Sequence, residues 1–251
     1  MRPTRGLMTI RRPGSSLFVS EIIVWRAMSR LVAAALILFS GLFLLNPANA
    51  QKSGENSGYA GAMDWYEREA EKGSAKAQFL LGLLYEHGSG ARSQDLKQAH
   101  KWFLKAAEQG HPQAQYKVAA RHHFGTGIAA DPERAVAWYR RAAGQGVAEA
   151  RHNLAHMLLN GTGTKRSPDE AARWYTENAR HGFGPSQLAL GYLYLQGTGV
   201  KADIAEAWAW FRAAESRGMG GAAKARAEAA QRLAPDGLKR AKTLAKPRIR
   251  K

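Results

Sequence analysis

The chain has 251 residues, 45% hydrophobic and 23% charged, with no cysteine and a formal net charge of +17. Such a length and composition fit one or two ordinary domains, and the lack of cysteine excludes disulfides, thiolate metal sites and cysteine nucleophiles. The charge is uneven: past residue 50 there are 31 basic and 19 acidic residues, and eleven of the basic ones lie between Arg217 and Lys251 against only Glu228 and Asp236.

The first element in chain order is the stretch "MSRLVAAALILFSGLFLLNPANA", Met28 to Ala50. Arg30 precedes an apolar run from Leu31 to Leu45, a helix-breaking Asn46-Pro47 follows, and Ala48-Asn49-Ala50 closes it. These are the three regions of a secretory signal, with the small residues a signal peptidase accepts. The run is short for a bilayer span, which needs about 20 residues. Residues 1–50 are therefore expected to be an N-terminal extension and signal peptide cleaved after Ala50, with Met28 as an alternative start. The expected location is the periplasm or the exterior, where nucleic acid is not a partner. Without cleavage the same run would anchor the chain in the inner membrane.

A repeat begins after it. Trp102, Trp138, Trp174 and Trp210 are 36 residues apart, and Trp65 precedes them by 37. Gly110, Gly146, Gly182 and Gly218 keep the same step, and Asp95, Asp131, Ser167 and Asp203 each stand seven residues before a Trp. A fixed period in this range is the mark of a helical solenoid. The Asp or Ser is the N-cap of a second helix, with Pro132 and Pro168 at the first helical position. Ser167 and Glu170 have the spacing of a capping box, and the Gly eight residues past each Trp is the expected C-terminal stop. The first helix of each unit is read from "AKAQFLLGLLYEHG", "PQAQYKVAARHHFG", "AEARHNLAHMLLNG" and "PSQLALGYLYLQG", with Gly82, Ala119, Ala155 and Gly191 where the two helices touch most closely.

The expected organisation is a half-repeat over 59–73, then repeats 74–110, 111–146, 147–182 and 183–218, so that 51–218 forms one solenoid. Two C-terminal capping helices follow over 219–245, and 246–251 is expected to be a disordered basic tail.

The pattern shared by "AQFLLGLLYEHGSG" with "QAHKWFLKAAEQG" and by "QLALGYLYLQGTGV" with "EAWAWFRAAESRG" resembles the Sel1-like repeat, a relative of the tetratricopeptide repeat. The resemblance runs from about Tyr59 to Gly218. It implies an all-α, right-handed solenoid that binds other proteins and catalyses nothing. Some cysteine-rich secreted relatives are described as acting on β-lactams. That chemistry needs S-x-x-K with S-D-N and K-T-G elements. No Ser here is followed three residues later by Lys, and Lys242-Thr243 is followed by Leu244.

Four further features carry candidate chemistry. His152 and His156, four apart on a first helix, have a spacing that metals use. However, no carboxylate lies between them and structural sites want more ligands. The "GTG" turns at 125, 161 and 197 lack the G-K-[ST] of a phosphate loop and recur where a hairpin must reverse. No catalytic residue, cofactor or metal is therefore expected. The first-helix columns Gln78, Gln115, Arg151 and Gln187, and Tyr116 with His152, are expected to line a concave face and hold an envelope protein or peptide. Lys239, Arg240, Lys242, Lys246, Arg248, Arg250 and Lys251 are expected to attract anionic lipid or polysaccharide.

Overall fold

The computed structural model describes residues 64–88 and 93–249. The expected signal sequence, Arg250 and Lys251 lie outside the described residues. A helical stretch over 64–71 leads into ten helices. The first helices of the four repeats are α1 (Ala75–His87), α3 (Pro112–Phe124), α5 (Ala148–Asn160) and α7 (Gly184–Gln196). The second helices are α2 (Leu96–Glu108), α4 (Pro132–Gly144), α6 (Pro168–Arg180) and α8 (Ile204–Ser216), and α9 (Ala222–Gln231) and α10 (Pro235–Ile249) follow them. From α1 to α8 each helix packs on the next, which makes an α-solenoid, and both α9 and α10 rest on α8.

Local chemistry sets the helix ends. Asp95 accepts from the N–H groups of Lys97 and Gln98, Asp131 from that of Arg134, and Asp203 from those of Ala205 and Glu206, satisfying donors that a helix start leaves free. Ser167 takes the same place but makes no side-chain cap bond. The expected capping box does not form, because Glu170 is turned outward to Arg140 and to the Trp174 indole. One backbone bond closes every hairpin: the N–H groups of Asp95, Asp131, Ser167 and Asp203 donate to the carbonyls of Tyr85, His122, Leu158 and Tyr194 at 2.8–2.9 Å.

The G-x-G turns reverse the chain between the helices of a pair. Gly197 caps α7 in the left-handed region at φ 70°. Gly199 has φ 66°, and a Cβ there would overlap the Pro168 carbonyl of the preceding repeat, so only glycine fits both torsion and space.

The core runs through the stack. Phe103, Tyr139, Tyr175 and Phe211 are fully buried between buried alanines such as Ala106, Ala142, Ala171 and Ala214. Small side chains let helix axes approach, and each enclosed ring contributes about 1.5–3 kcal/mol of apolar burial. Across their helix pairs Gly82 meets Phe103 and Gly191 meets Phe211, as expected.

Candidate functional site

Each first helix turns its fourth residue inward. Gln78 Nε2 donates to the Ala70 carbonyl at 3.0 Å, Gln115 Nε2 to Ala107 at 3.2 Å, Arg151 Nε to Ala143 at 3.1 Å and Gln187 Nε2 to Ala179 at 3.1 Å. Every acceptor lies eight residues earlier, in the last turn of the preceding helix, where carbonyls lack intrahelical partners. Gln78 and Gln115 accept in return from Gln109 and Gln145, each at 2.7 Å. Gln78, Gln115 and Gln187 are thus buried in the joint between repeats and do not line a groove as expected, whereas Arg151, in the same joint, also borders an open hollow beside Trp174. Polar variation along a column suggests a contact surface in sequence. Here Gln and Arg interchange because both are long N–H donors.

The next column is also largely enclosed. The Tyr116 ring lies 6.1 Å from that of Tyr139, and burial pushes its hydroxyl up to about 12. His152 Nδ1 lies 3.1 Å from Ser186 Oγ, and its ring meets Tyr175 edge-on at 5.3 Å. Burial, with His156 adding to it, lowers the His152 pKa to about 4, so the ring is neutral at physiological pH. His156 points outward instead, with Asn160 Nδ2 3.1 Å from its Nε2. Among the described residues no three His, Asp or Glu side chains gather in a way that could hold a metal.

The outward stripe of the first helices lies one turn further on. Leu83, Ala120, His156 and Tyr192 share one register, and His87, Phe124, Asn160 and Gln196 follow four residues later. Phe124 is 67% exposed and Tyr192 41%, with His87, His156, Asn160 and Gln196 also exposed. Two exposed aromatic rings set among exposed polar side chains suit contact with another polypeptide. Sequence reasoning missed Phe124 and Tyr192 as contact residues. The available signal was an aromatic directly before the Gly that ends α3, with no further turn to cover it.

The C-terminal basic residues divide into two groups. Arg240 donates to both oxygens of the Asp203 carboxylate at 3.0 and 2.7 Å, and this contact holds Asp203 below the usual carboxylate range. Arg248 donates to Glu206 at 2.8 Å and lies 4.0 Å over the Trp210 ring. Both arginines fasten α10 to the N-terminal half of α8, so the segment from 246 is helical as far as Ile249 and not a disordered tail. Lys239, Lys242 and Lys246 remain exposed.

The Sel1 repeat matches four times, over 75–111, 112–147, 148–183 and 184–219, an unbroken run through more than half of the chain. The chain belongs to the Sel1 repeat family. Each family repeat begins one residue after the period read from the Trp and Gly columns. Among solved structures, the chain is similar to c5321, a protective antigen of uropathogenic Escherichia coli displaying an SLR fold. Their identity is 34% and the TM-score 0.69, over 76% of this chain and 41% of that one. It is also similar to a Sel1 repeat protein from Oxalobacter formigenes, 35% identical with a TM-score of 0.59, over 65% of this chain and 48% of that one. The chain spans less than half the length of either Sel1 structure. No curated protein matches it.

Proposed function

We propose that this Sel1-repeat chain is an exported, non-catalytic scaffold or regulator that holds an envelope protein or peptide against its first-helix face, on the concave side of the solenoid. The observation that carries the reading is the exposed stripe of Phe124, His156 and Tyr192 on consecutive first helices. Aromatic groups outside a closed core have a role when another surface covers them. The Sel1 repeat, a scaffold fold commonly used for protein–protein contact, supports it. Export rests on the sequence from Met28 to Ala50 alone, which lies outside the described residues.

A second reading is recruitment to anionic lipid or polysaccharide through α10. Lys239, Lys242 and Lys246 favour it, being exposed at a spacing of three and four residues that places them on one helical stripe.

Both readings are tested with the full-length chain in its own cells, carrying a photo-crosslinking residue at position 124, 192 or 242 in turn. A defined protein adduct at 124 and 192, weakened by exchanging Phe124 for Ser, supports the scaffold. Adducts only at 242, made of lipid or polysaccharide and lost in high salt, replace it with surface recruitment. Fractionation of the same cells tests export, and a cytoplasmic, full-length product would refute it.

A further inference from the structure

The Trp column of the second helices is completed differently in each repeat. Lys105 stands 4.1 Å over the Trp102 ring and Arg141 4.5 Å over Trp138, each from three residues further along its own helix. That position is Ala213 in the last repeat, and the cation over Trp210 is Arg248, brought by α10. In the third repeat the position is Glu177, and among the described residues no cation lies over Trp174. Yet this repeat has the other half of the Trp210 arrangement. Glu170 precedes Trp174 by four residues as Glu206 precedes Trp210, whereas the first two repeats have Gln98 and Arg134 there.

In front of Trp174 lies a cavity of about 490 Å³ whose walls include Ala143, Gly144, Glu170 and Glu177. The hollow at Trp210 is built from the residues one period on, Ala179, Arg180 and Glu206, with Arg248 laid into it. Gly144 stands where that repeat has Arg180, so the mouth at Trp174 is wider. We infer that the Trp174 pocket is a docking site for an arginine side chain of another polypeptide, held as Arg248 is held at Trp210. The guanidinium lies flat on the indole and donates to Glu170, with Glu177 at the rim.

The chemistry favours a cation although Arg151 and Arg173 also border the cavity. Arg151 is committed to the Ala143 carbonyl and reaches Glu177 only at 3.7 Å. Glu170 already accepts from both terminal nitrogens of Arg140 and, at Oε1, from the Trp174 indole Nε1 at 3.4 Å, so an incoming guanidinium shares this carboxylate with Arg140. The ring face itself attracts cations and repels anions, and a planar guanidinium combines stacking with fork-shaped donation as ammonium does not. This contact uses the second-helix side of the solenoid, so it stands or falls independently of the first-helix face.

The probe is the chain's own pentapeptide Ala-Lys-Pro-Arg-Ile (245–249), capped at both ends and added to the full-length protein. Its twins carry citrulline or Glu in place of Arg. Binding is read by NMR from the indole N–H signals, with that of Trp174 assigned through Trp174→Phe. Affinity near a millimolar is expected from one stacked cation and one solvated ion pair. The arginine peptide should shift the Trp174 signal and bind at least about tenfold more tightly than the citrulline twin. Gly144→Arg, at an exposed position where a Cβ meets nothing within 4 Å, should abolish the shift without unfolding the chain. Equal binding by the citrulline twin, tighter binding by the Glu twin, or a shift that survives Gly144→Arg would each overturn the site.

Discussion

The third and fourth repeats are neighbours with the same plan and different fillings. The third places Ala155, Tyr175, His152 and Arg151 where the fourth places Gly191, Phe211, Leu188 and Gln187. The fourth repeat is covered by α9 and α10, and its Trp208, Trp210 and Phe211 are all buried. The third is an interior unit with a polar cluster at its joint with the fourth. There Asn178 Nδ2 donates to Ser186 Oγ at 2.9 Å and to the Ala148 carbonyl at 2.8 Å, and His152 meets the same serine. A solenoid thus holds its plan through a few steric and capping positions, while the residues between them set how dry each unit is.

The widest gap between the two should appear with pH. His152 titrates near 4 in the fold against about 6.5 in an unfolded chain. Between those values the unfolded state binds more protons, so stability falls as the pH is lowered through that window. The loss approaches about 3 kcal/mol at pH 4 from this ring alone. His152→Leu, which copies the fourth repeat, should flatten that part of the acid limb in urea unfolding. What remains belongs to other enclosed imidazoles such as His100, which burial also lowers to about 4. If wild type and variant lose stability in parallel between pH 6.5 and 4, His152 is not held neutral.

Next in size is the contact between paired helices. A Cβ on Gly191 would lie 2.5 Å from two ring carbons of Phe211, which is fully buried and has no room to retreat. Gly191→Ala should therefore cost about 1–3 kcal/mol, although Ala normally improves a helix. The interior repeats carry Ala119 with Tyr139 and Ala155 with Tyr175, and Ala155 is fully buried, so Ala155→Gly should cost about 1–2 kcal/mol through helix propensity and a lost buried methyl. A Gly191→Ala variant whose midpoint in denaturant equals or exceeds that of wild type would mean that the glycine is not a steric requirement.

Most of this architecture was legible in the sequence because its determinants are local. Asp95, Asp131 and Asp203 cap by reaching two or three residues along the chain, and Gly197 is needed for its own torsion. The candidate surface was less legible because burial of a helix face depends on distant neighbours. Gln78 reads as an exposed polar residue until Ala70 and Gln109 are brought beside it. Ser167 and Glu170 have the spacing of a capping box, yet Arg140, thirty residues away, competes for the carboxylate. The extension of the C-terminal helix past residue 245 hid for the same reason. Arg240 and Arg248 look like a solvated charge run until Asp203 and Glu206 face them from α8.

The smallest expected effect lies at the joint, where the two repeats differ by Arg151 and Gln187. Arg151→Gln keeps a donor for the Ala143 carbonyl and gives up a 3.7 Å contact with a half-exposed Glu177, so it should cost less than about 1 kcal/mol. Gln187→Ala removes one of the donors to the Ala179 carbonyl, which keeps the Gly182 N–H at 3.0 Å, and empties a buried site, which should cost about 1–2 kcal/mol. Gln187 Oε1 has no partner of its own, so nothing else is stranded. Urea midpoints of the two variants give the ranking directly. If Arg151→Gln proves the more damaging, the guanidinium serves through its charge, and the joint is an ion-pair device in the third repeat rather than the shared N–H donor that all four copies use.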